Sequence, residues 1–259
     1  MTNNNWRYAR IGILLFILAS VAQTAWLARG RTTEWKYSVR VAIYPIAGDS
    51  SAATASYIKQ LSVSTLTPIA TFMKSEAVRQ HIAIDAPVDM YLAHVVESSP
   101  PPPPFGGSTV DIMRWSLQFR FWVWRHDHFK LPKPDVRLFV KFFDPALSKQ
   151  LPHSTGLQKG LIGIVNAFAD AEQEATNNVI ITHELLHTLG ATDKYDLASN
   201  QPRHPDGYAE PDASPLLPQR KAEIMAGRIP ISQAQAEIPA NLAACVIGAA
   251  TAREINWLK

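Results

Sequence analysis

The spacing of hydrophobic and polar positions changes several times along the chain, and each change predicts a different element. Four stretches alternate or run apolar in the manner of strands: residues 35–46, 88–96, 136–143 and 160–168. Three others have helical spacing: residues 52–80, interrupted around Pro68, residues 109–124 and residues 172–189. Strands and helices alternate in this order, which predicts an α/β domain with a mixed, twisted sheet.

One apolar stretch precedes these elements. Residues 11–28 contain no charge, and about eighteen apolar residues are the lower limit for a helix that crosses a bilayer. Arg7 and Arg10 come just before the stretch, as in an export signal. We therefore predict a transmembrane signal-anchor at 11–28, with a short flank at 1–10 and a juxtamembrane linker at 29–36.

The orientation of this anchor follows from the short flank, which usually stays inside the cell. The rest of the chain is then extracytoplasmic, either periplasmic or extracellular. The small residues at 20–22 leave a cleaved signal peptide as an alternative. Residues 37–259 are long enough to form one catalytic domain with a sizeable core.

The composition limits which metal ligands, partners and cofactors the chain can have. Cys245 is the single cysteine, so the chain has neither an internal disulfide nor a thiolate cluster, and any metal must be held by histidines and carboxylates. The formal charge is +3 and the basic residues are scattered, which argues against a nucleic-acid partner. No glycine-rich phosphate loop is present, so we expect neither a nucleotide nor a redox cofactor.

Three further stretches are interpreted as structural rather than functional. Five consecutive prolines make residues 98–107 a stiff surface loop. His126-Asp127-His128 lies in an isolated polar turn, and His204 and Asp206 lie in a loop rich in proline, aspartate and glycine. We expect solvated or hydrogen-bonded side chains in both places rather than metal ligands.

The strongest candidate for chemistry lies in the helix predicted at 172–189. His183 and His187 are four residues apart, so their imidazoles project from one helix face and both can reach one Zn²⁺ ion. Glu184 is next to the first histidine and can point at a metal-bound water, from which it would take a proton as general base.

A third ligand is needed, because catalytic zinc usually has three protein ligands and one open position. Gly190 can adopt the left-handed conformation that ends a helix and turns the chain sharply. The turn would bring the carboxylate of Asp193 back to the metal. The chain after Gly190 then forms a lower, C-terminal subdomain at 191–259, below an upper part at 37–190.

The run from His183 to Asp193 resembles the metzincin signature HExxHxxGxxH/D, in the version that has aspartate in the last position. Snapalysin-type and immune-inhibitor-A-type bacterial peptidases carry this version, and the second group continues like Asp193-Lys194-Tyr195-Asp196. The resemblance implies a metzincin-like α+β fold and zinc-dependent hydrolysis of peptide bonds. It also implies an edge strand just before the active helix that pairs with extended substrate, a place that residues 160–168 occupy.

The resemblance also implies a tight turn with a methionine beneath the zinc site. Met225, in the run 222–227, is our candidate for this residue. Many metzincins have a tyrosine two residues after the methionine, but that position is Gly227 here. If a tyrosine assists the oxyanion or contacts substrate, Tyr195 or Tyr208 must take its place.

The sequence therefore predicts a zinc peptidase that acts on a peptide or protein substrate. One alternative is a gluzincin-type peptidase, whose third ligand would be Glu210 or Glu223. Another is a membrane-tethered binding protein with a structural or degenerate zinc site. The sequence leaves open the cleavage specificity, endo- against exopeptidase action, activation and the oligomeric state.

Overall fold

The computed structural model describes residues 34–104, 106–129, 132–152, 154–157 and 161–259, together with residues 8, 10–12, 30 and 32. The predicted membrane anchor at 11–28 lies almost wholly outside the described residues. Within them, none of the helices combines the length and the hydropathy that a membrane crossing requires.

A five-stranded sheet forms the centre of the fold. Its strands are β1 (Val39–Ala47), β2 (Val88–Leu92), β3 (Val136–Phe143), β4 (Thr155–Leu157) and β5 (Ile162–Phe168). Their order is β2-β1-β3-β5-β4; the first four are parallel, and β4 runs antiparallel to β5. The predicted α/β class with a mixed sheet is confirmed.

The position of the edge strand differs from the prediction. The metzincin resemblance implies an edge strand at 160–168, but β5 is internal, because Thr155–Leu157 pairs along its outer side. This outer strand has only three residues, too few for an alternation of apolar and polar positions to be visible in the sequence. Among the described residues, β4 is therefore the outermost strand on this side of the sheet.

Five helices accompany the sheet: α1 (Ala52–Gln60), α2 (Val63–Arg79), α3 (Thr109–His126), α4 (Glu174–Leu189) and α5 (Ala249–Glu254). The predicted interruption near Pro68 is wrong, since Pro68 lies inside α2. The break falls instead before Val63, where Ser62 begins the new helix through a capping box with Thr65.

The two faces of the sheet bury different helices. Along β1, Val41 and Ile43 belong to the core formed with α1, α2 and α4. The alternate residues Tyr44 and Ile46 belong to a second core, formed with α3. Since successive strand residues point to opposite faces, α3 covers one face of the sheet and α4 the other.

The C-terminal part has little regular structure. Two short ladders pair β6 (Ala222–Glu223) with β9 (Cys245–Val246) and β7 (Ile229–Pro230) with β8 (Ala236–Glu237). This part is joined to the start of the domain by Trp35, whose indole N–H donates to the carbonyl of Ile255 at 2.6 Å. β1 begins at Val39 rather than at residue 35, since Trp35 has a φ of 49°, outside the range of a strand.

Candidate active site

Helix α4 is fixed to the sheet before it reaches the motif. Asp170 caps the preceding short 3₁₀ turn by accepting a hydrogen bond from the backbone of Glu172 at 3.0 Å. One turn later, the Asn177 amide accepts from the backbone N–H of Phe168 at 3.0 Å and donates to its carbonyl at 2.8 Å. This pair of bonds joins α4 to the last residue of β5, so the motif has a defined position relative to the sheet.

His183, His187 and Asp193 bring three ligand atoms together. The Nε2 atoms of the two histidines are 3.0 Å apart. The Oδ1 atom of Asp193 lies 3.2 Å from the first and 3.1 Å from the second. A tetrahedral zinc site with bonds of about 2.0–2.1 Å has ligand atoms about 3.3 Å apart, so this triangle fits three corners of such a site.

Backbone carbonyls determine which nitrogen of each histidine carries its proton. His183 Nδ1 donates to the carbonyl of Ile224 at 2.9 Å, and His187 Nδ1 donates to the carbonyl of Ala191 at 2.8 Å. A carbonyl can only accept, so the proton of each neutral ring lies on Nδ1. In the neutral rings both Nε2 lone pairs therefore face one carboxylate oxygen, and either a proton or a metal cation between them offsets the repulsion of these acceptors.

The pKa values of His183 and Asp193 also indicate that a positive charge is stabilised between them. Burial lowers the pKa of His183, but the hydrogen bond to Asp193 and the charge of Glu184 outweigh it and raise the pKa to about 9. Burial likewise raises the pKa of Asp193, but hydrogen bonds from His183 and His187 leave that pKa below its usual range. For the polypeptide alone, a proton thus occupies the place that suits a metal.

Glu184 faces the same space without joining the triangle. It is buried, and one of its carboxylate oxygens lies within 4.8 Å of the ligand nitrogens of His183 and His187. Its Oε2 is buried and has no hydrogen-bond partner among the described residues. Burial raises the pKa of this carboxyl. A buried acceptor without a partner is costly in a purely structural role, and Glu184 also lines the cleft beside the two histidines.

His183, His187, Asp193 and Glu184 open into a cleft of about 400 Å³. The other residues that line it are Leu151, Pro152, Ser154, Asn166, Ile180 and Tyr195. Burial and the charges of Asp193 and Glu184 raise the pKa of Tyr195, so its hydroxyl stays a hydrogen-bond donor. Tyr208, the other tyrosine that the sequence suggests, is not among the lining residues; its ring packs on His204.

The predicted methionine turn lies directly behind His183. Met225 is fully buried in the 3₁₀ turn Ile224–Ala226, which ends at Gly227 with a left-handed φ of 68°. The turn supplies the Ile224 carbonyl to His183, and the Met225 carbonyl accepts from the backbone N–H of Lys194 at 3.0 Å. It therefore positions one histidine and the loop that carries Asp193.

Glu223, a candidate third ligand in the gluzincin alternative, supports this turn instead. Its Oε2 accepts from the backbone N–H groups of Met225 at 2.7 Å and Ala226 at 3.1 Å. Its Oε1 accepts from the backbone N–H of Gly248 at 3.1 Å and from the Thr251 hydroxyl at 2.7 Å. All four donors hold the carboxylate in place, so neither oxygen is left for a metal.

Glu223→Gln should destabilise the domain. The amide that replaces one oxygen would face donors that the carboxylate now satisfies, and unsatisfied buried donors cost roughly 1–3 kcal/mol each. We expect the free energy of unfolding to fall by about 2–4 kcal/mol, measured by urea denaturation. Glu237→Gln, at an exposed site in β8, is the control and should change it by less than about 0.5 kcal/mol. Equal stability of both variants would contradict this role.

The loop that carries Asp193 is held from the end of the chain. The Lys194 ammonium donates to both carboxylate oxygens of Glu254, each at 2.7 Å. The backbone and hydroxyl of Thr192 donate to the same carboxylate at 2.9 and 2.7 Å. Asp193 lies between these two anchored residues. No local pattern in the sequence indicates Glu223 or Glu254, since each acts on residues far away along the chain.

Asp127 and His204, which we did not expect to bind a metal, make hydrogen bonds and ion pairs within the fold. The Asp127 carboxylate accepts from the Tyr44 hydroxyl and pairs with Arg137. His204 Nε2 donates to the carbonyl of Pro211 at 3.1 Å. Apart from the site on α4, no group of three histidine, cysteine or acidic side chains comes as close together in the part of the chain that the structure describes.

Comparison of the chain with models of known protein families gives no match, and comparison with curated proteins gives none either. The assignment of chemistry therefore rests on these residues and their geometry.

Proposed function

We propose that this protein is a zinc-dependent peptidase of the metzincin type. The observation that carries the proposal is the convergence of His183 Nε2, His187 Nε2 and Asp193 Oδ1 within 3.0–3.2 Å of one another. Two imidazoles and one carboxylate form a ligand set that zinc hydrolases use. The cleft in front of the set leaves access for a fourth ligand.

Each residue has a role that its surroundings support. Zn²⁺ at this site would act as a Lewis acid and lower the pKa of water. The Glu184 carboxylate, which lines the cleft, accepts a proton from the attacking water while the oxygen of that water bonds to the scissile carbonyl carbon. Glu184 then returns that proton to the amine as the C–N bond breaks. Tyr195 is placed in the cleft to donate to the developing oxyanion.

The substrate class follows from the surroundings of the cleft. Its wall includes Ser154, the residue just before β4 (Thr155–Leu157), which is the outermost strand on that side of the sheet. An extended peptide can add to such an edge through main-chain hydrogen bonds. The edge strand beside the cleft and the tight turn at Met225 are two features that the metzincin resemblance implies. They favour a peptide or protein substrate over a small molecule.

The alternatives have less support. In the gluzincin alternative Glu223 or Glu210 would bind the metal, but the Glu223 carboxylate already accepts four hydrogen bonds. A purely structural zinc site has no use for a buried carboxylate that lacks a partner, such as Glu184.

The test is to measure the zinc content of the purified full-length protein together with its cleavage of a peptide library. We expect one zinc per chain, hydrolysis of peptide bonds, and loss of both zinc and hydrolysis in the double variant His183→Ala with His187→Ala. Absence of zinc would exclude the proposal. Zinc without cleavage of any peptide would favour a binding protein with a structural site.

Tyr195→Phe tests the predicted oxyanion donor. We expect kcat to fall about 10- to 100-fold with little change in KM, because removal of such a donor acts on the transition state. Zinc content should stay at one per chain. Tyr208→Phe is the matched control, and we expect its activity to equal that of the unmodified protein. Loss of zinc in Tyr195→Phe would show that the hydroxyl supports Asp193 rather than the oxyanion.

A further inference from the structure

Helix α3 (Thr109–His126) has two apolar faces. Trp115, Phe119 and Val123 form the inner face and are buried against the sheet. A second set is 60–72% exposed: Val110, Met113, Leu117, Phe121 and Trp124. At about 100° per residue, these five fall within roughly 80° of arc on the side away from the sheet. A continuous exposed apolar stripe of this kind marks an interaction surface.

Basic side chains flank the stripe on both sides. On the helical wheel Arg114 and Arg125 lie along one border and Arg120 along the other. Asp111 is the only acidic residue of α3, and it is engaged at the first turn, where it accepts from the backbone N–H of Ser108 at 3.0 Å. The surface is therefore apolar in the middle and positively charged at its borders.

The stripe ends at the edge of the sheet where the chain enters the domain. Strands β1, β2 and β3 are parallel and so begin at one common edge. Helix α3 ends shortly before β3 starts, and Asp127, just after the helix, pairs with Arg137 in β3. The C-terminal end of the stripe thus lies at the edge of the sheet where β1 begins.

We propose that the exposed stripe of α3 lies in the interface of an anionic lipid bilayer, with the helix parallel to the membrane plane. An apolar face with aromatic residues and arginine borders is the composition of interfacial helices. The arginines would reach lipid phosphates while Leu117, Phe121 and Trp124 enter the boundary of the acyl chains. The proposal concerns the surface opposite α4 and does not depend on the peptidase function.

Charge argues against two other occupants. A second copy of the chain, placed stripe against stripe, would bring the arginine borders of both copies together. Residues 11–28 of the chain itself contain no acidic side chain to meet these arginines. An anionic lipid matches both parts of the surface. Its phosphate pairs with the arginines, and its acyl chains contact the apolar stripe.

The experiment uses the full-length chain in vesicles, with one introduced cysteine that carries a fluorophore. Leu117→Cys places the label in the stripe, and Val78→Cys places it on an equally exposed apolar position of α2, on the other face of the sheet. The native Cys245 is buried and so is not labelled. Brominated lipids quench a label inside the bilayer, and iodide quenches a label in water.

In vesicles of phosphatidylcholine and phosphatidylglycerol, we expect brominated lipid to quench the label at 117 at least several-fold more than the label at 78. Iodide should show the reverse order. A label at 117 that iodide reaches freely would overturn the proposal. So would one that neither quencher reaches, because protein would then cover the stripe.

The charge component is tested with Arg114→Gln and Arg125→Gln combined in the Leu117→Cys chain. We expect quenching by brominated lipid in vesicles with phosphatidylglycerol to fall to the level seen with phosphatidylcholine alone. Both arginines are exposed, so circular dichroism should show an unchanged fold. Recognition of anionic lipid would be contradicted if quenching were the same with and without the two substitutions, and the same with and without phosphatidylglycerol.

Discussion

Glu184→Gln should abolish most peptide hydrolysis and leave the metal in place. Glutamine has nearly the same volume but cannot accept a proton, and general-base catalysis contributes about 10²–10⁴-fold to the rate. We expect kcat/KM to fall by this factor, measured on a fluorogenic peptide. Zinc content should remain one per chain, because the substitution does not change the three groups proposed to hold the ion. Their atoms, His183 Nε2, His187 Nε2 and Asp193 Oδ1, lie within 3.2 Å of one another.

Stability separates this effect from unfolding. Glu184 is buried with Oε2 unpartnered among the described residues, and a neutral amide is less costly to bury than a carboxylate. The melting temperature of Glu184→Gln should therefore equal or exceed that of the unmodified protein. Glu172→Gln, exposed in the short turn before α4, is the control and should keep full activity. Activity within about tenfold of normal in Glu184→Gln would rule out its role as general base.

The same residue predicts a pH dependence. Burial raises the pKa of Glu184, and a general base works only in its ionised form. As pH falls through this raised pKa, the carboxylate takes up a proton and activity is lost. The acid limb of kcat/KM should therefore lie above the usual range of a carboxyl group.

Asp193→Ala should have the second large effect, on metal binding. Removing Asp193 leaves two ligands, too few for a stable catalytic zinc site. Loss of outer-shell partners alone lowers metal affinity about 10- to 100-fold, so loss of a direct ligand should cost at least about 100-fold. Competition with a chromogenic chelator measures the affinity.

Asp196→Asn is the matched control, because Asp196 belongs to the same run but is exposed and accepts from Ser199 and Ala198. We expect its zinc affinity to be unchanged. Normal zinc affinity in Asp193→Ala would move the third ligand elsewhere and return attention to Glu210 and Glu223.

The parts of the site that the sequence predicts are those encoded by local spacing. His183 and His187 share a helix face because of their separation, and Gly190 ends that helix with a φ of 121°, a conformation that favours glycine. The turn that follows brings Asp193 to the histidines. Helix and turn geometry connects all four residues within a short stretch, so one pattern carries the information.

Contacts between distant residues leave no such pattern. Glu223 acts through Gly248 and Thr251, and Lys194 acts through Glu254. Nothing near Glu223 in the sequence separates a support for the methionine turn from a metal ligand. The edge strand β4 was missed for a related reason, since three residues are defined as a strand only by their pairing with β5.

The hydrogen bonds of Thr192 and Lys194 to Glu254 also mean that the site is completed late during synthesis. A ribosome delivers α4, with both histidines, well before the residues of α5 that hold the loop around Asp193. The four donors to Glu223 likewise include two from the last stretch of the domain. A nascent chain therefore cannot assemble a supported cluster of His183, His187 and Asp193 until Glu254 has left the exit tunnel. For the proposed peptidase, this late completion would keep the unfinished chain from cleaving itself or its neighbours.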